Sequence, residues 1–472
     1  MRSKAFLLLF ALLAAACDRL QLPGSSPVAL SLSEKEIHRA LPGESLTLTV
    51  QLKEAQTEPV TVRLQLADPC AKGTANCPGW DSSRYPYVDH SGGPYTLSQA
   101  GESGTFTFSV SPDAIPQGPY KYEVVVERGD KTWVHPFYLR IPLGERSAIE
   151  ALNMWRSLAD LPPVREDPEW AFKAWLHGRY RVYNYPNVPP HDEYLDQPFA
   201  TPEGREAGQR GNEYIFIQKS NGQPVFKNDE EPISWWIAAP FHRFPLIYSA
   251  LQMASAGTYR EVKDYMSYPG YGWSSSTLPA IYSQDSPSHE ILFPPPAKTI
   301  PLNRFMYGEN PSPISVCMNP DQAQKRPFLT QEGLVWGKYD YGYPPYVPSS
   351  SPLGFPITVA TYVRGDTEVL EARLVRLSDG AVNPICAYGS LQYWEEREFW
   401  RDRAINGLRA YGALVVIPHE VLTPGEEYEV YIRATIAGQS REWTWRFRVA
   451  PQDQLVPLRL APARWEGWEE GP

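Results

Sequence analysis

No apolar run in the 472 residues reaches the length of about 20 that a helix needs to cross a bilayer, so no transmembrane helix is expected. Positive charge is also short. The 44 basic residues face 54 acidic ones, a net charge of -10, and no basic stripe is present to neutralise a phosphate backbone. Nucleic acid is therefore not an expected partner. Cysteine is scarce, with 5 in all, and the absence of any C-x-x-C pair argues against a ribbon or finger zinc site. G-x-S-x-G, the P-loop, H-E-x-x-H and the Rossmann glycine pattern are all missing, so no enzyme class is indicated by motif.

Proline, in contrast, is abundant. Its 48 residues are about twice ordinary usage, and they cluster between patterned segments instead of forming repeats, which implies rigid loops and not disorder. A chain of this length has room for about three domains.

The first residues point to export. Arg2 and Lys4 precede a short apolar stretch at 5–13, which ends in Ala14, Ala15, Ala16 and Cys17. This is the layout of a secretory signal, and its end resembles the bacterial lipobox, in which small residues admit the peptidase and the cysteine takes the lipid. The expectation is a signal peptide at 1–16, a lipid anchor on Cys17 and a tether at 17–26, placing the protein outside the cytoplasm on the cell envelope. Acyl chains contribute about 0.8 kcal/mol per buried methylene, so the anchor would be the membrane attachment. Ordinary cleavage after Ala16, leaving a free Cys17 thiol, is the alternative.

The other four cysteines allow three pairings. Cys70 and Cys77 enclose a short loop, so local pairing is economical and leaves Cys317 for Cys386; an exported protein meets the oxidising conditions this needs. Four reduced thiols are the other possibility.

Hydropathy divides the chain in three. Residues 45–52 (SLTLTVQL), 60–66, 105–110 and 120–126 alternate apolar and polar, with Pro and Gly at the breaks, so 27–142 reads as an Ig-like β-sandwich. Helical spacing begins after Ser147, which with Glu150 forms a capping box ahead of Ile149, Leu152, Trp155 and Leu158. A second helix starts at Asp167 with Pro168 in its first position, and a third near Pro232, within a domain at 143–300. Alternation returns at 356–363, 372–377, 428–436 and 443–449, with Asp379-Gly380 as a hairpin turn, giving a second Ig-like sandwich at 301–450. A tyrosine soon after Pro424-Gly425 reads as a packing device. The tail at 451–472 has no periodicity, though Trp465 and Trp468 could dock on a neighbour.

The middle segment carries the chemistry. It runs ALNMWRSLADLPPVREDPEW (151–170), HDE (191–193), TPEGREAGQRGN (201–212), WWIAAPFHRFPLI (235–247) and AGTY (256–259). This order resembles the CAP superfamily of cysteine-rich secretory, antigen-5 and pathogenesis-related proteins, in its bacterial SCP-like branch. The turn ADLPPVREDP and the Pro240-Phe241-His242-Arg243 turn after a tryptophan helix carry the likeness, which covers about 115 of 472 residues. The resemblance implies an α-β-α sandwich with two histidines and acidic partners facing a cleft. Matched residue by residue, these are His191 and His242, with Glu193 beside the first. The family's G-E-N motif is not intact, and Gly211-Asn212-Glu213 and Glu203 are the nearest candidates.

In an extended segment His191 and Glu193 would project to the same side, and His242 from a distant turn could complete a divalent-metal site, with zinc as the candidate ion. The alternative is that both histidines only bond to backbone. His177 falls on the apolar face of its helix and reads as a satisfied core histidine, Trp235 and Trp236 as core. The tyrosine-rich run at 338–348 could offer a surface to glycan or peptide, or pack as a loop between domains.

The expected function is an extracytoplasmic module binding an unknown lipid, peptide or glycan, with catalysis not expected. A metal-dependent hydrolase and a structural envelope or adhesion protein are the alternatives.

Overall fold

The structure is a computed structural model that describes residues 25–80, 87–282, 289–305, 309–318, 329–330 and 353–456. The signal segment with Cys17, the tyrosine-rich run, Trp465 and Trp468 lie outside the described residues. The protein is β-rich and multidomain, and its chain divides into two compact units, Met1–Ile141 and Pro142–Pro472.

The first unit is two sheets. One takes the order Val28–Leu30, Ser45–Leu52, Ser103–Val110, Val88–Ser91; the other Ile37–Arg39, Lys131–Arg140, Tyr120–Arg128, Val60–Leu66, Tyr95–Leu97. Alternation puts Leu48, Val50, Phe106 and Phe108 inside, and Phe108 meets Phe137 and Tyr122 of the facing sheet at ring separations of 4.7 and 4.9 Å. The Cys70–Cys77 disulfide closes the small loop expected of it.

The second unit begins with α1 (Ala148–Leu158). Ser147 Oγ accepts the Glu150 N–H at 3.2 Å while Glu150 Oε2 accepts the Ser147 N–H at 2.6 Å, the capping box read from sequence. The Asp167 carboxylate caps α2 (Pro168–Asn184), and the Thr201 hydroxyl caps α3 (Pro202–Arg210). A sheet follows in which Tyr268–Tyr282 is central, flanked by Gly211–Ser220 on one side and by Leu251–Ala254 and Gly257–Tyr265 on the other. Successive residues of the Gly211–Ser220 strand face opposite ways: Glu213 turns to His177 of α2, and Tyr214 to Trp235 of α4 (Glu231–Ala238). Helices therefore cover both faces of this sheet.

Two further five-stranded sheets complete the unit. The first orders Ile291–Phe293, Ile357–Ala360, Ala413–Pro418, Ile385–Tyr388, Leu329–Thr330; the second Thr299–Ile300, Gln439–Val449, Glu427–Ile436, Thr367–Arg376, Val382–Asn383. Ile357–Ala360, Ala413–Pro418 and Ile385–Tyr388 of the first are buried on both faces, which explains uninterrupted runs such as ALVVIP. One face shares a core with the second sheet. The other packs on Phe244 of α5 (Pro240–Leu246) and on Ala404 and Leu408 of α6 (Glu398–Tyr411).

Ile149, Leu152 and Trp155 of α1 and Ile233 of α4 belong to that same continuous core with Phe355, Val416 and Val430. Burial of such a side chain contributes roughly 2 kcal/mol, so the helical segment and the downstream sheets stabilise each other. The Cys317–Cys386 disulfide ties a short 3-10 turn, Val316–Met318, to the doubly buried sheet. Both disulfides suit an oxidising compartment. Among the described residues no helix is long and apolar enough to cross a membrane.

Candidate functional site

Two glycines let α3 press against α2. A Cβ at Gly208 would lie 2.4 Å from His177 Cε1, and one at Gly204 would lie 2.4 Å from Glu193 Oε1. Four residues apart, they line one face of α3, which is why TPEGREAG can close over a buried imidazole and carboxylate. Asp192 then ties the intervening loop to α3, accepting from Arg205 Nε at 2.6 Å and from Gln209 Nε2 at 3.1 Å.

Behind this face lies a wholly buried polar cluster. His177 Nδ1 is 2.9 Å from Glu193 Oε1, and its Nε2 donates to the Pro190 carbonyl at 3.0 Å. Glu193 Oε2 accepts the Thr201 N–H at 2.7 Å, and Glu213 Oε2 lies 3.6 Å from His177 Nε2 while accepting from Thr277 Oγ1 at 2.9 Å. Burial pushes the His177 pKa down, but Glu213 and Glu193 together outweigh it and hold it above the usual imidazole value. Burial raises both acids against the pull of His177, with Glu213 carried up to about 7. Arg181, also buried, adds a charge beside Glu213, and its Nε and Nη1 have no hydrogen-bond partner.

The other two histidines sit nearer the surface. His191 Nδ1 lies 3.3 Å from the Gly208 carbonyl; burial, reinforced by the charges of Arg403, His242 and Arg181, drives its pKa down to about 3. His242 opens α5. Its carbonyl accepts from Asn212 Nδ2 at 3.1 Å, and both its backbone N–H and its Nδ1 meet Glu309 Oε1, at 2.6 and 2.8 Å. Glu309 is buried, which raises its pKa against the pull of His242, and its Oε2 has no partner. The next residue anchors the helix: Arg243 Nε donates to the Ile237 carbonyl at 2.6 Å, and Nη1 to the Pro356 carbonyl and Thr358 Oγ1 at 2.8 and 3.1 Å.

His191 and His242 are thus brought within electrostatic reach of each other. Glu193 does not join them. The chain at His191 is a turn and not an extended segment, so Glu193 points inward and both its oxygens are taken by His177 and Thr201. Glu203 is exposed on the first turn of α3, whereas Glu213 belongs to the buried cluster. No group of three or more His, Cys, Asp or Glu among the described residues is arranged to hold a metal ion. With Glu193 committed elsewhere, the residues expected to bind zinc do not fit it. His177 is fully buried and bonded, and Trp235 and Trp236 are buried.

Sequence reasoning missed Glu309, Arg181 and Arg403. No spacing rule ties Glu309 to His242, 67 residues before it.

No protein-family model matches the chain. No curated protein matches it. Among solved structures, partial likenesses are found to the VesB protease of Vibrio cholerae (14% identity, TM-score 0.18, 25% of this chain and 32% of that one) and to a family 123 glycoside hydrolase from Clostridium perfringens (11%, 0.18, 28% and 32%). A third is PapD-like domain 7 of human CEP192 (17%, 0.17, 27% and 93%). The first two alignments span about a third of those proteins, and TM-scores this low carry no inference about fold or activity.

Proposed function

We propose that the chain is a lipid-anchored protein of the cell envelope, exposed outside the cytoplasm, whose central CAP-type domain binds a ligand at the His191–His242 pair and is flanked by Ig-like sandwiches. Three things support the CAP reading: the motif order from 151 to 259, the sheet with helices on both faces, and the placing of His191 and His242 near each other from separate segments. The observation that carries the binding reading is that each imidazole is held at Nδ1 by a fixed protein oxygen, while among the described residues neither Nε2 has a hydrogen bond. Such anchoring orients a ring for a partner.

The reading is of a binding module. A hydrolase would need an activated water, and the carboxylate expected beside the histidines is committed to the interior. A thermal-shift screen against glycans, peptides and lipids tests the site, comparing wild type with His191→Ala/His242→Ala. A compound that stabilises the wild type and not the double variant supports the pair; ligands that stabilise both equally remove it. Labelled palmitate on the wild type, absent from Cys17→Ser, tests the anchor.

A further inference from the structure

We infer that the first unit carries a site of its own, an activated serine: Ser26 as nucleophile, His135 as its base and Glu34 as the positioning residue, with carboxylic esters as the substrate class. All three residues lie within Met1–Ile141, so the site does not depend on how the helical segment is read.

Three segments of this unit meet at the imidazole. Ser26 precedes Pro27, whose ring disfavours the helical region for the residue before it, so Ser26 enters the strand Val28–Leu30 extended. Lys53 fixes that entry twice: its backbone N–H donates to the Pro27 carbonyl at 2.9 Å, and its Nζ to the Ser26 carbonyl at 3.0 Å. Glu34 lies in the turn where the chain crosses from Val28–Leu30 of one sheet to Ile37–Arg39 of the other. His135 comes from Lys131–Arg140 of that second sheet, on the same side of the strand as the buried Trp133 and Phe137. Its Nε2 is 2.7 Å from Ser26 Oγ, and its Nδ1 is bonded to Glu34 Oε1. The His135 side chain is 16% exposed and that of Glu34 37%, so the ring is steadied while the group remains open to a substrate.

A nucleophile, a base within hydrogen-bond reach and a third group that orients the base are the parts of an activated hydroxyl. A carboxylate only accepts, so the neutral imidazole keeps its hydrogen on Nδ1 toward Glu34 and meets the serine hydroxyl with the lone pair of Nε2. The Val28 N–H donates to Ser26 Oγ at 3.4 Å, which leaves the hydroxyl hydrogen to turn toward the ring. In the reaction Oγ bonds to the ester carbonyl carbon while its proton passes to Nε2. The bond to the alcohol oxygen then breaks, and the alcohol leaves with that proton. Water repeats the sequence on the acyl-serine and returns the carboxylic acid and the free hydroxyl. Lys53, bound to the Ser26 carbonyl, sets a positive charge within one residue of the oxygen that turns negative. A single flexible cation stabilises that charge less than paired backbone donors would, which restricts the site to esters and leaves amides, with their poorer leaving groups, aside.

The test treats the full, folded chain at about pH 8 with a fluorophosphonate, which phosphorylates an activated serine hydroxyl and releases fluoride, and locates the label by peptide mass spectrometry. Ser26 should carry it. Labelling, and the part of p-nitrophenyl acetate hydrolysis that Ser26→Ala removes, should both rise from about pH 5 to pH 8, because a protonated ring has no lone pair at Nε2. His135→Ala and Glu34→Gln should each lower both rates about 100-fold or more. An unlabelled Ser26 in the folded wild type overturns the inference whatever the variants do. So does labelling that the two substitutions leave unchanged, or that is the same at both ends of the pH range. Variants that lose thermal stability beside a wild type that takes no label would show that the three residues only hold the sheets together, which also overturns it.

Discussion

Arg243 and Thr358, 115 residues apart, are joined at 3.1 Å inside the core, with the Arg243 guanidinium stacked 4.7 Å from the Phe293 ring and 4.6 Å from Phe355. This contact locks the helix carrying His242 onto the downstream sheet. Burial lowers the arginine's pKa to about 9, so the cation is retained at neutral pH by its carbonyl and ring partners. Arg243→Ala leaves those carbonyls unpaired and opens a cavity. We expect a loss of about 3 to 5 kcal/mol in urea unfolding of the second unit, a magnitude usual for breaking a buried charged contact. A loss below about 1 kcal/mol would show that α5 is held by other contacts.

Glu213 gives a pH signature. Its folded pKa is raised from 4.5 to about 7, so the folded state binds that proton more tightly than the unfolded chain does. The stability it contributes is complete below pH 4.5 and is lost as pH rises through about 7. His177, also raised, acts with the same sign above its usual value. Glu213→Gln can still accept from Thr277 and has no charge to bury. Its stability should fall less than the wild type's between about pH 5 and 8, by up to about 3 kcal/mol. Parallel curves for the two proteins would contradict the buried cluster.

Gly208 and Gly407 should respond in opposite directions to alanine. At Gly208 the new methyl would collide with the His177 ring, at a cost of about 1 to 3 kcal/mol. Gly407 sits in α6 with nothing within 4 Å of a built Cβ, so alanine there should stabilise by up to about 1 kcal/mol through helix propensity. Thermal unfolding of both variants checks this, and equal shifts would contradict it.

How much was legible follows from the range of each interaction. Ser147, Asp167 and Pro168 act within one turn, so the starts of α1 and α2 could be read directly. The alternation of 45–52 and 60–66 reports a half-buried sheet, and those strands form with the bounds read from sequence. α6 was missed inside a segment read as β, although Gly412, in the left-handed conformation at its end, is a stop signal. The shared core of α1 and the downstream sheets leaves no local trace. For the site, His191 and His242 stood out by motif. The inward turn of Glu193 depends on a glycine face of α3, and Glu309 on a contact across 67 residues. Spacing rules do not reach either.

The most direct measurement of the central claim is an acid titration of the His191 imidazole by NMR, from about pH 8 down to pH 3. A base whose folded pKa is depressed loses stability for the fold as pH falls from its ordinary value of 6.5 toward about 3, and through that window the folded ring stays neutral with Nε2 free to accept. The account predicts a neutral His191 ring throughout, until the approach to about pH 3. A midpoint near the ordinary value of 6.5 would contradict it, because the ring would then be a solvated surface group and not half of a ligand-facing pair.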